Sequence, residues 1–279
     1  MTLADLERKF ALHEARQSIS FIPDVPVIAR LRGANFAGFT KNMERPYDIA
    51  FSKAMVSAAT YIANRFEATI AHVHGEEISL MFATIGASEG TCERVKVQDL
   101  ASDLAASATA EFTLHSLERW PSRTRIIRPS FLCRTWQLVP EDVPLYFLWQ
   151  VEAAAQNAAN IVAPPSILSD LAEISASNLG EVFAKTRVSW EFYPAHFREG
   201  TFIQRRVSPG APTGHAVLVT DLPKGGFPAV TNVHEFLFNS AAPQTTFPLG
   251  ATLEQAEALR AIVAKAKAAS YMSLKKDDD

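Results

Sequence analysis

The chain has 279 residues, 48% of them hydrophobic and 20% charged, with a net charge of -3. That composition belongs to a globular protein with a substantial core and lacks the global basic excess that advertises nucleic acid, although local basic patches remain open. Cys92 and Cys133 are too few for a zinc site by themselves. Residues Met1 to Arg16 are charged and helix-patterned rather than a signal peptide, and no apolar run reaches the length of a membrane span, so a cytoplasmic protein is expected.

In chain order, Leu3, Leu6, Phe10 and Leu12 form a weak helical stripe that Pro23 and Pro26 end. Val27–Leu31 reads as a short buried strand closed by Arg32-Gly33, and Ala34–Lys41 as a compact loop or helical turn. From Ile49 to Phe66, apolar residues at Phe51, Met55, Ala58, Ala59 and Ile62 predict an amphipathic helix. Thr69–Val73 and Ile78–Phe82 then predict two strands reversing at Gly75. Two carboxylates, Glu76 and Glu77, follow the turn. Neighbouring strand side chains point to opposite faces, so one carboxylate can look into a cleft while the other braces the backbone. A solvated pair on an exposed hairpin is the blander alternative.

Thr84 to Gly90 reads as a turn region and Asp99–Leu117 as a helix. Arg123–Arg128 and Phe131–Arg134 are expected as a strand or two broken by Pro129. Leu145–Ala159 is expected as a helix, with shorter ones over Pro165–Ile174 and Asn178–Lys185. Gly200–Val207 and His215–Val219 are expected to pair as a hairpin. Thr252 with Gln255 carries a capping-box signature for a last helix. Residues 1–206 thus form one α+β domain and 207–279 a C-terminal extension of hairpin and helix. Strand-helix-strand-strand-helix-strand is the ferredoxin-like order shared by polymerase palms, here with added helices. In such palms, carboxylates at the end of the first strand and at the hairpin hold the divalent ions that bridge triphosphate and attacking hydroxyl.

Particular residues carry a more specific likeness. Arg30-Leu31-Arg32-Gly33-Ala34-Asn35-Phe36, Phe39-Thr40-Lys41, Arg45-Pro46-Tyr47-Asp48 and Gly75-Glu76-Glu77-Ile78-Ser79 follow one another at spacings that resemble the tRNA-histidine guanylyltransferase family, particularly its bacterial members. Trp149 with Asn157 and Asn160 continues the pattern, as does Phe197-Arg198-Glu199-Gly200-Thr201 with Arg205-Arg206. The resemblance implies a reverse polymerase, a magnesium-dependent nucleotidyltransferase that adds nucleotides to RNA 5′ ends from GTP or ATP. It implies metal contacts from the Gly33 carbonyl and Glu76, with Glu76 and Glu77 at the catalytic centre. It places Arg30, Asn35, Phe36, Lys41, Ser79, Asn157 and Asn160 around the nucleotide or RNA end. Ser79 and Glu77 would also support the hairpin. Its partners would be tRNA or another RNA and a triphosphate, and the family's tetramers imply self-association.

The departures from the family pattern bear on chemistry. Arg32 stands where the family has its first metal aspartate, Leu132 replaces another acid, and Ala155 replaces a histidine. A guanidinium about 4 Å from a divalent ion is repelled by roughly 8 kcal/mol at an effective dielectric of about 20. Two functions follow: a nucleotidyltransferase with a degraded or single-metal site, or a non-catalytic relative that binds nucleotide or RNA or assembles with an active copy. The two asparagines, Arg30 and Lys41 also admit ordinary structural roles as caps, ion pairs or solvated surface groups.

Overall fold

The computed structural model describes residues 2–23, 25–83, 95–140, 142–171, 174, 178–206 and 215–219. The expected turn region at 84–90, the last helix with Thr252 and Gln255, and the charged end of the chain lie outside them. An N-terminal helix, α1 (Leu3–Gln17), opens on a capping box between Thr2 and Asp5 and buries none of its residues. Then come β1 (Val27–Ala34), the short α2 (Phe36–Thr40), α3 (Ile49–Arg65), β2 (Ile70–His74) and β3 (Glu77–Phe82). The second half holds α4 (Val97–Arg119), α5 (Pro121–Ile126), β4 (Ser130–Gln137) and α6 (Asp142–Val162). Three short helices follow, α7 (Leu168–Leu171), α8 (Leu179–Phe183) and α9 (Ala195–Arg198), and then β5 (Thr201–Arg206) and β6 (His215–Val219).

One antiparallel sheet runs β4-β1-β3-β2-β5-β6. The four strands β4-β1-β3-β2, with α3 and α4 as connections, are the ferredoxin-like palm that the element order predicts. The hairpin of β5 and β6 adds two strands beside β2, so the sheet continues past residue 206. α3 begins where the Asp48 carboxylate accepts the Phe51 N–H at 2.9 Å, an N-cap. Its buried face (Met55, Ala58, Ala59, Ile62) packs with Leu104, Ala108 and Phe112 of α4 against Ala29, Leu31, Leu80 and Ala71. The opposite face of the sheet is covered by α6, whose Phe147 and Val151 meet Ile28, Ile70, Met81 and Phe202. Beyond the sheet, the second half of α6 packs Ala155, Ala158 and Ala159 onto Leu171, Leu179, Phe183 and Trp190. Coverage on both faces explains why every residue of β2 and β3 is buried.

One expected strand is a helix. Arg123–Arg128 falls largely in α5, because Pro121 occupies the first turn, where its missing N–H costs nothing, and Thr124 turns inward to bond the Ser116 and Trp120 carbonyls. The strand begins only after Pro129. No described helix is long and apolar enough to cross a membrane.

Gly200 shows how tightly the sheet's end is packed. Its φ is +84°, and a Cβ there would overlap the His72 ring and lie 2.7 Å from the Val73 carbonyl oxygen. The His72 Nε2–H donates to the neighbouring Glu199 carbonyl at 2.8 Å, and burial, reinforced by His74, pushes the imidazole down to about 3, so the ring is neutral. Gly200→Ala combines left-handed strain with overpacking and should destabilise the fold by about 3 kcal/mol, read as a lowered urea midpoint.

Candidate functional site

A cavity of about 350 Å³ opens where the turn between β2 and β3 meets α6 and the segment joining α2 to α3. Glu76, Glu77, Arg32, Asn157, Arg45 and Tyr47 are among its lining residues. The turn exists because Gly75 takes a φ of +52°, with nothing near its missing Cβ, and His74 pairs across it with Glu77. As the sequence implies, the two carboxylates part company. Glu76 is exposed at the cavity wall, and Glu77 turns into the α6 face of the sheet.

Glu77 is fixed there by a two-pronged ion pair. Its Oε1 and Oε2 accept from Arg30 Nε and an Arg30 terminal nitrogen, the latter at 2.8 Å. The Arg30 guanidinium lies 5.0 Å from the Trp149 ring centre, clamped between carboxylate and indole. Arg32, 72% exposed, approaches the other carboxylate oxygen at 3.7 Å. His74 Nε2 is also 3.7 Å from Glu77, too far for a hydrogen bond, and donates instead to Gln150 Oε1 at 3.0 Å. Gln150 then donates to the Tyr146 hydroxyl at 3.0 Å, which shares a 2.8 Å bond with Ser79. Burial would raise the Glu77 carboxyl, but the His74 imidazole and the Arg30 guanidinium outweigh it and hold its pKa at about 2. Burial pushes the Tyr146 phenol up to about 12, so it stays a neutral link in the chain.

Of the residues the sequence singles out, the cavity gathers Glu76, Glu77 and Asn157. Arg30 is reached only through Glu77. Gly33 lies just behind the turn, its N–H donating to the Glu76 carbonyl at 2.9 Å. Asn35 precedes α2 with a φ of 66°, and Lys41 follows α2; both are exposed and neither lines the cavity. Asn160 is exposed one turn beyond Asn157 without lining it. Two assignments change. Phe36 cannot offer its ring to a nucleotide, because it is 1% exposed and packed among Phe39, Phe51, Phe112 and Phe131, close against Gly33. Ser79 is equally buried under α6 and serves the hairpin through Tyr146. Ala155 faces the packing of α7 and α8, and the neighbouring Ala154 lines the cavity instead.

The sequence reading gave no role to Tyr47, His196 and Phe197, which form an aromatic wall. The Tyr47 ring lies 5.3 Å from His196 and 5.0 Å from Phe197. Their signal was the Pro46-Tyr47-Asp48 and Phe197 motifs, legible as motifs but not as one surface. The departures at 32 and 132 prove to be neighbours as well. Arg32 pairs in register with Leu132 on β4, which is 67% exposed, and with Glu77 on β3. Among the described residues no three His, Cys, Asp or Glu side chains converge to hold a metal.

The Arg30–Glu77 pair sets a pH dependence. A folded-state pKa near 2, against an ordinary 4.5, gives stability that is complete above about pH 4.5 and lost as pH falls towards 2. The shift corresponds to about 3 kcal/mol. Glu77→Gln should lower stability at pH 7 by that order and flatten the loss between pH 5 and 2, as followed by urea melts across that range.

Comparison with known proteins places this arrangement. The family model for tRNAHis guanylyltransferase matches residues 8–139. A bacterial tRNAHis guanylyltransferase-like protein solved in complex with ATP superposes with a TM-score of 0.66 at 21% identity, over 83% of this chain and 96% of that one. A bacterial structure of the same description in complex with GTP gives 0.62 at 21% identity with the same coverage. The Saccharomyces cerevisiae tRNAHis guanylyltransferase gives 0.56 at 16%, over 80% of this chain and 98% of that one. An uncharacterised protein of Acanthamoeba polyphaga mimivirus is 36% identical over 69 residues, 25% of this chain and 24% of that relative.

Proposed function

The chain belongs, through residues 8–139, to the tRNAHis guanylyltransferase family, and from that membership we propose that it binds a nucleoside triphosphate and an RNA 5′ end in the cavity beside Glu76 with a degraded metal centre. The observation that carries this reading is the pairing of Arg32, which lines the cavity, in register with both Leu132 and Glu77. Magnesium asks for near-octahedral oxygen coordination, usually with one or two carboxylates. Glu77 is taken by Arg30, and Glu76 is left as the carboxylate at the turn, with the Gly33 carbonyl as its nearest expected helper. Arg32, in the cavity lining, stands where an ion would need negative charge. These residues do not fit a two-magnesium centre, and no step is routed through one.

The same groups suit an anionic ligand. Arg32 and Arg45 supply fork-shaped donors that match phosphate oxygens, Asn157 adds an amide, and Tyr47 with Phe197 offers an aromatic surface for a base. The ATP and GTP complexes are those of the bacterial proteins; for this chain nucleotide binding is the proposal. A role beside an active copy, or in a homo-oligomer, accords with a fold kept while its carboxylates are lost. Weak single-metal turnover is the second reading, and Glu76 in the cavity wall is what favours it.

Calorimetry with GTP and ATP, with and without magnesium, tests the binding. Binding should persist without magnesium and weaken about tenfold in Arg32→Ala, the loss of one charge-assisted contact. No binding under either condition would overturn it. Incorporation of labelled GTP at an RNA 5′ end tests the metal centre. The parent should show little transfer, and the triple variant Arg32→Asp, Glu76→Asp, Leu132→Asp should bind magnesium measurably better. Robust magnesium-dependent transfer by the parent would refute the degraded centre.

A further inference from the structure

The acidic chain conceals a local excess of the opposite sign. Between Arg119 and Gln137 it carries five arginines, at 119, 123, 125, 128 and 134, and no Asp, Glu or Lys. The structure gathers them at the end of α4, on α5 and on the edge strand β4. Arg119, Arg125, Arg128 and Arg134 are exposed, and none of the four pairs with a carboxylate among the described residues. With Glu118 as the one acid bordering the run, the segment carries a local positive excess, the kind of patch that attracts an anionic partner.

From these residues we propose that α5 and the start of β4 form a docking ridge for the phosphate backbone of RNA, leading to the cavity beside Glu76; the proposal rests on the RNA-end reading of that cavity. Two features favour RNA over an acidic protein. First, the ridge is braced on the segment that lines the cavity, through the buried Phe39. Arg123 donates to the Phe39 carbonyl at 2.8 Å, Trp120 lies edge-on to Phe39 at 5.7 Å, and the next residue, Thr40, lines the cavity. On β4, Arg134 pairs in register with Arg30, beside the site. Second, a separate hollow of about 540 Å³ opens beside the same Trp120 between α3 and α4, with Lys53, His115, Glu118 and Arg119 also in its lining. An indole beside a guanidinium is a stacking platform for an unpaired base, worth about 1–3 kcal/mol per base, and a carboxylate peptide has no use for it. Arginine forks also suit phosphate better than lysine would.

The full chain and a short fluorescent RNA carrying a single-stranded 5′ end provide the test, with affinity measured across a salt series. The parent should lose affinity steeply with salt, since each neutralised phosphate contributes about -0.7 to -0.9 to the logarithmic slope. The triple variant Arg119→Glu, Arg125→Glu, Arg128→Glu should bind RNA at least a hundredfold more weakly at low salt, with a slope shallower by about two. Its thermal melt and its GTP binding by calorimetry should match the parent, because these exposed side chains lie outside the cavity. Unchanged RNA affinity and slope in the variant would overturn the ridge. So would polyglutamate competing as well as unlabelled RNA, which would make the partner an acidic protein. Failure of GTP binding with RNA binding intact would count against the nucleotide reading and leave the ridge standing. Loss of RNA binding by the parent with GTP binding intact would do the reverse.

Discussion

The ion pair between Arg30 and Glu77 is the contact on which the site depends. It joins neighbouring strands at the point where the sheet ends and the cavity begins, and it is sheltered by α6 and the Trp149 ring. A carboxylate in such a place is costly unless paired and hydrogen-bonded, and removing one partner leaves a stranded charge. The bidentate geometry answers that cost. It leaves Glu76, the turn residue before it, as the carboxylate exposed at the cavity wall.

Behind the pair lies a run of polar groups, His74, Gln150, Tyr146 and Ser79, each bonded to the next. The run lets α6 cover a sheet face that is not wholly apolar. Buried polar groups are tolerated when their partners are present, and here the partners come from one helix and two strands. The α3–α4 face needs no such arrangement, since its contacts are aliphatic and aromatic. The site therefore sits at the edge of two differently built layers, one wholly apolar and the other an apolar cluster with a polar run at its cavity end.

The altered positions read differently once placed in space. Arg32 and Leu132 are far apart in the chain but share one rung of the β1–β4 ladder, and Arg32 is also opposite Glu77. Two positions that the sequence keeps apart thus form one patch, an exposed guanidinium beside an exposed leucine. Arg134, two residues beyond Leu132 on β4, is exposed next to it.

The ferredoxin-like order was legible because each element carries its own local signal: the 3.6-residue spacing of α3 and α4, the glycine at the hairpin, the apolar strands beside it. The motif residues around 30–48 and 75–79 pointed to the family by order alone. Local signals could not separate a strand from a helix at Arg123–Arg128, where alternating basic residues look extended and only the inward bonds of Thr124 decide for a turn of helix. Nor could they tell that Phe36 and Ser79 sit in the interior while Asn157 reaches the cavity, because a motif specifies neighbours in sequence and not which side of a sheet each side chain takes. That choice belongs to the packing of α6, α3 and α4 on the sheet's two faces. The sequence by itself determined the elements, their order and the chemistry available at the turn; only the tertiary structure decided that Arg30 claims Glu77, that Arg32 stands beside Leu132, and that Tyr47 meets Phe197, because each of these contacts joins segments that no local periodicity connects.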